Sequence, residues 1–216
     1  MFPNVNYRYQ KKDVSLFAVT VSLIAVIQFI VMTFLAGFFY PGGYSIVKNY
    51  FSDLGQVYVQ NHLNSISSIM FMFAVFLIVL FLIPYWYLLK KIFSESKLEH
   101  VLSNLGLVTG LISSISLVFV ALNPVDTRVN THIFFALLFF LGFGLSIVFY
   151  SINFLRYKEF RPLVFSIGLL LLIAYLVYEQ SLEKIAIIDP FWEKLVGYLY
   201  FVWIFIVDFI LWRKFT

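Results

Sequence analysis

Long apolar runs alternate with short polar breaks along the whole chain, and six runs stand out, at about 14–40, 62–89, 101–122, 131–155, 161–180 and 191–212. A helix rises about 1.5 Å per residue, so about 20 apolar residues cross the roughly 30 Å hydrocarbon core of a bilayer. Each run meets that length. Backbone polar groups in lipid must be bonded within the spanning element, and continuous apolar runs of this kind belong to helices rather than to the short alternating strands of a barrel. The breaks carry turn and helix-end signals. Pro41-Gly42-Gly43 ends the first run, "KKIFSESKLEH" parts the second from the third, and Asn123-Pro124 stops the third. "RYKEFRP" and "EQSLEKIAIIDP" bound the fifth, and Pro190 suits an early helical position. The prediction is an all-α integral membrane protein, one six-transmembrane-helix bundle over residues 1–216, with no internal repeat and no attached soluble domain.

Composition agrees. The chain is 62% hydrophobic and 12% charged, with a mean hydropathy of +0.94, whereas a soluble domain is about 45–50% apolar and about 25% charged. There is no cysteine, which excludes disulfides and thiolate metal sites. The first run is longer than the roughly 7–15 residues of a signal-peptide core and no small-residue cleavage site follows, so it is expected to remain as a helix.

The net charge of +4 follows from topology rather than from nucleic-acid binding. Eleven of the fifteen Lys and Arg residues fall before the first run, between runs two and three, between four and five, or after the last. Lys48, Arg128, Lys184 and Lys194 are the four on the other side. The positive-inside rule then places both termini in the cytoplasm of a cell-membrane protein. Aromatic residues flank the runs as an interfacial belt would, with Tyr40, Tyr178 and Trp192 outside and Trp86, Tyr87, Tyr157 and Trp212 inside.

On that topology the outer face collects the unusual polar groups. "YPGGYSIVKNYFSDLGQ" supplies Lys48, Asn49, Ser52, Asp53 and Gln56. His62 and Asn64 open the second run, "NPVDTRVNTH" supplies Asn123, Asp126, Arg128, Asn130 and His132, and the third outer loop supplies Glu179, Glu183, Lys184, Asp189 and Glu193. Three readings compete. These residues cap helices and form surface pairs worth under about 1 kcal/mol. Or they line a pocket for a polar headgroup, with Lys48 or Arg128 neutralising a phosphate and Asp53 or His132 bonding hydroxyls. Or His62, His132 and Asp126 hold a metal such as zinc that activates water, although no HxxxH or HExxH spacing places two ligands on one helix face. The sequence requires no cofactor. Within the runs, Gln28 is expected to bond a neighbouring helix. Asp208 is expected to reach the inner interface and pair with Arg213. Gly106 and Gly110 form a GxxxG pair on a stripe with Ser103, Ser113 and Ser114, suited to packing inside the bundle or to a homo-oligomer.

"NYFSDLG" after the first run, with "NPVDTRVNTHIFFALLFF" at the start of the fourth, resembles the prokaryotic domain-of-unknown-function family number 998 and its eukaryotic relatives of the Frag/DRAM/Sfk type. In that family a Ser-Asp-x-Gly segment follows the first span and a histidine begins the fourth, which Ser52, Asp53, Gly55 and His132 match. The resemblance implies six spans and a link to lipid remodelling, and it makes Asp53 and His132 the first residues to suspect. The leading functional expectation is a multi-pass protein whose outward polar pocket binds or helps remodel a lipid headgroup. Lys48, Ser52, His62, Asp126, Arg128 and Glu179 would bind, and Asp53 and His132 would do any chemistry. A membrane-embedded hydrolase or transferase acting on a lipid-linked substrate is the alternative, with Asp53 or His132 as general base or metal ligand. A transporter or channel is less favoured, because the middle of the runs holds few ionisable residues.

Overall fold

A computed structural model describes residues 5–93, 96–155, 168 and 190–215. Five helices among them are long and apolar enough to cross a membrane: α1 (Val5–Phe38), α2 (Ser65–Ile92), α3 (Lys97–Leu122), α4 (Val129–Phe154) and α5 (Pro190–Phe215). Among the described residues the protein is a helical membrane-type bundle with one small hairpin. Apart from Gly168, the run at 161–180 and the polar segment after it, Glu179 included, lie outside the described residues.

The helix boundaries differ from the apolar runs where polar residues find local partners. α1 begins at Val5 rather than near 14, because hydropathy marks where lipid begins and not where the helix does. α3 begins at Lys97 rather than 101 through a capping box. The Glu99 N–H donates to Ser96 Oγ at 3.2 Å and the Ser96 N–H donates to Glu99 Oε2 at 3.3 Å, which satisfies two of the donors left open at a helix start. α2 begins at Ser65, three residues late, because a hairpin precedes it. Strands β1 (Tyr58–Val59) and β2 (His62–Leu63) pair antiparallel, with Val59 opposite His62.

The turn of that hairpin is Gln60-Asn61, with φ of 49° and 66°. Two positive φ values match the type I′ turn that suits the twist of paired strands. Asparagine tolerates this region and glutamine does so less well. Replacing the pair by Asn-Gly is therefore expected to stabilise the hairpin by about 0.5–1 kcal/mol. Slower hydrogen exchange at the Asn64 N–H, which donates to Val57 O at 2.9 Å, would register the gain.

α1 packs along α2, α2 on α3 and α3 along α4, and α5 returns to α1. Glycines set the closest approaches. A Cβ on Gly106 would lie 2.7 Å from the Tyr150 ring, one on Gly110 would lie 2.6 Å from the Trp86 indole, and one on Gly142 would lie 2.9 Å from Thr109 O. The small-residue stripe of α3 is thus covered within the chain by α2 and α4. Trp86 is fully buried, stacks on Tyr150 with centroids 6.0 Å apart and donates its indole N–H to Ser114 Oγ at 3.2 Å. Phe34, Phe38, Phe73, Leu80 and Phe134 lie on the exposed outside of the helices, as lipid-facing residues do.

Two polar residues inside the helices bond across the bundle. Gln28 Nε2 donates to Ala74 O of α2 at 3.1 Å and to Ala25 O at 3.0 Å. Asp208 turns inward rather than toward the helix end. Its carboxylate accepts from Ser22 Oγ at 2.5 Å and Tyr85 Oη at 3.4 Å, since its helical face, with Ile204, Val207 and Leu211, is buried. Arg213 lies over the Phe209 ring instead, 5.7 Å from its centroid.

Candidate functional site

The segment between α1 and α2 folds around one carboxylate. Gly42 and Gly43, at φ 76° and 87°, turn the chain out of α1 in a conformation that glycine adopts freely. Asp53, 8% exposed, is the second residue of the 3₁₀ turn Ser52–Gly55. Its Oδ2 accepts from the Tyr50 N–H at 2.9 Å and Asn49 Nδ2 at 3.2 Å, and its Oδ1 accepts from Gln56 Nε2 at 3.0 Å. Gln56 Oε1 in turn accepts from Tyr40 Oη at 3.3 Å. Burial, with the charges of Asp53 and Asp126, pushes the Tyr40 phenol up to about 12, so it stays a donor in this chain of bonds. Tyr44 donates to Tyr50 O at 3.0 Å, and burial raises its phenol as well.

Side chains from the helices hold this loop down. Asn64 Nδ2 donates to Leu54 O and Gln56 O at 3.1 and 2.9 Å, and Ser67 Oγ donates to Leu54 O at 3.1 Å. From the α3–α4 connection, Asp126 accepts the Val57 N–H at 3.1 Å and the Tyr58 N–H at 3.0 Å. From α5, Lys194 Nζ donates to Asn49 O and lies over the rings of Tyr44 and Phe51 at 5.5 and 5.4 Å. Glu193 lies beside the backbone of Phe51 and Ser52.

The end of α3 is closed by polar residues too. His132 Nδ1 bonds Asn123 O at 2.8 Å. Asn123 Nδ2 donates to Phe119 O at 2.7 Å, and Asn123 Oδ1 accepts from Arg128 at 3.2 Å. Terminal helix carbonyls without partners are costly at membrane depth, and these bonds satisfy them.

Beneath the loop lies a cavity of about 270 Å³. Tyr50, Phe51 and Ser52 cover it, His132 and Glu193 stand at its walls, and the rest of the described lining is almost wholly apolar, from Phe71 to Leu82 on α2 and from Val129 to Phe143 on α4. The eleven-residue step along α2 corresponds to about 16 Å, roughly half of the hydrocarbon thickness. On the other side of Phe51 is a second cleft of about 260 Å³, lined by Thr33, Phe34, Phe38, Tyr44 and Lys194 among others.

The sequence-predicted residues separate on this frame. Ser52 and His132 meet on the cavity, and the charge of Asp53 bears on His132. Asp53, Asp126 and Arg128 hold loops and a helix end. Lys48 and His62 are exposed, the latter on the hairpin. Among the described residues no three His, Asp or Glu side chains gather as metal ligands, so His62, His132 and Asp126 do not form a set. Sequence reasoning left Glu193 out of the site. The adjacent Glu193-Lys194 pair opening the last apolar run was the available signal, because two ionisable residues at a span end need partners.

Helices long and apolar enough to cross a membrane, closed at one end by a polar loop network over an apolar cavity, define a multi-pass membrane protein. The family described as "Protein of unknown function (DUF998)" matches residues 23–209, and the chain belongs to it. Neither the curated proteins nor the solved structures yield a match.

Proposed function

We propose that this protein binds a membrane lipid, its apolar chain in the cavity beneath Tyr50–Ser52 and its polar head beside Ser52, His132 and Glu193. The observation that carries this reading is the cavity itself. Its described lining is deep and almost entirely apolar, with Ser52, His132 and Glu193 at the end where the loop covers it, which is the shape and polarity of an amphiphile. Ligand pockets are commonly concave and apolar with a few placed polar groups. The run at 161–180 would add a sixth span, and the asymmetry of basic residues would put both termini in the cytoplasm and the loop outside. The likeness to the Frag/DRAM/Sfk-type proteins points toward lipids as well. Binding is preferred to catalysis because the oxygens of Asp53 already accept three N–H groups and His132 closes a helix end.

Filling the cavity tests this directly. Ala136 lines it, and Ala136→Trp is expected to cut the amount of lipid that co-purifies from membranes by about tenfold, measured by mass spectrometry of the extracted protein, while thermal unfolding stays cooperative. Gly197 also lines the cavity, and a Cβ there would meet Phe51 at an ordinary 3.7 Å, so Gly197→Val serves as the second variant. Unchanged lipid content in both folded variants would overturn the reading.

A further inference from the structure

Glu193 decides what kind of head the cavity takes. One of its carboxylate oxygens, Oε2, is shielded from solvent and has no hydrogen-bond partner among the described residues. The backbone of Phe51 and Ser52 lies beside the carboxyl group. A buried acceptor left open costs more than most single bonds contribute, so such a group is satisfied by a ligand or by water. The charged groups around it are Lys194 and Asp53, and His132 stands on the same cavity. Lys194, the nearest cation, belongs to the second cleft and is engaged with Asn49 O and two rings. Arg128 bonds Asn123, and Lys48 is exposed. None of these three cations lines the cavity.

We propose that the cavity selects a single-chain amphiphile whose head donates hydrogen bonds, a hydroxyl or an ammonium, and discriminates against phosphate. This rests on the lipid-binding reading and names its ligand class. A phosphate would set oxygen against oxygen and bury its charge in a cavity that none of these three cations lines, whereas a hydroxyl or ammonium would fill the open acceptor.

The test uses full-length protein in detergent with four probes of equal chain length: dodecane, 1-dodecanol, dodecylamine and dodecyl phosphate. Native mass spectrometry reads the occupancy of each in competition. The wild type is expected to hold dodecanol and dodecylamine at least about tenfold better than dodecyl phosphate. Glu193→Gln, which keeps an acceptor but cannot ionise against an ammonium, is expected to lose most of the preference for the amine and to keep the alcohol. Glu193→Leu is expected to lose both preferences and still take dodecane. Retained selectivity in Glu193→Leu, or phosphate as the best-held probe, overturns the assignment. If all four probes bind alike and Ala136→Trp excludes them, the cavity reading stands and the head-group assignment falls. If none binds the wild type, both fail. Should Glu193→Leu not fold, Glu193→Gln alone decides through the amine-to-alcohol ratio.

Discussion

Gly110→Leu is expected to destabilise the bundle by about 3 kcal/mol or more, the upper part of the range for overpacking a filled core. Even the first added carbon would stand 2.6 Å from the Trp86 indole. That ring has nowhere to retreat. It is fully buried, stacked on Tyr150, edge-on to Phe143 at 5.1 Å and tied by its N–H to Ser114. Moving it would also disturb Tyr150, whose hydroxyl donates to Trp86 O at 3.0 Å and Ser103 O at 3.3 Å. Gly37→Ala is the matched control. A Cβ there meets only Tyr44 at an ordinary 3.5 Å, so the better helix propensity of alanine, up to about 1 kcal/mol, is expected to leave stability unchanged or raised. Unfolding midpoints in detergent for the two variants would check the contrast, and equal midpoints would contradict this packing of α2, α3 and α4.

Asp53→Ala is expected to loosen the whole loop over the cavity. Hydrogen bonds to a charged group contribute about 1.5–3 kcal/mol each. The side chains of Asn49 and Gln56 can turn to water when the carboxylate goes, whereas the Tyr50 N–H depends on the loop keeping its shape. A local loss of about 2–3 kcal/mol is expected, from the one bond that cannot be replaced. Hydrogen exchange over residues 45–56 should accelerate by more than tenfold, with co-purified lipid falling in step. Asp53→Asn retains one acceptor oxygen and is expected to fall between. The comparison separates two roles. Lost lipid with an unchanged exchange pattern would mean that Asp53 touches the ligand, and that its three intraloop bonds are incidental.

Much of the architecture was legible in the chain because the bilayer imposes a one-dimensional rule. A segment in hydrocarbon must be apolar over about 20 residues and must bond its own backbone, and the runs that became α1 to α5 obey it. Local helix-start chemistry was legible too. Ser96 and Glu99 stand in capping-box spacing, although the hydropathy of the third run alone sets its start four residues late. The hairpin before α2 was harder to see, since Gln60-Asn61 carries no glycine and its left-handed turn is stabilised by the pairing of Tyr58 with Leu63 and Val59 with His62 rather than announced by composition.

The site divides along the same line. Sequence by itself determined that the chain is a membrane protein and that its polar residues, Ser52, Asp53 and His132 among them, gather at a few breaks. Tertiary structure alone decided what each of them does. A carboxylate or an imidazole bonds whichever partner the fold brings within about 3 Å, and sequence separation carries little of that information. Asp53 met its donors within its own loop, Asp126 met the backbone of Val57 and Tyr58 across the α3–α4 connection, and His132 met the end of α3. Glu193, distant in the chain from all of them, came to rest at the cavity because α5 packs back on α1 beneath the loop. Hydrophobic length is a local property and can be read along a chain, whereas the occupancy of each polar atom is a three-dimensional one.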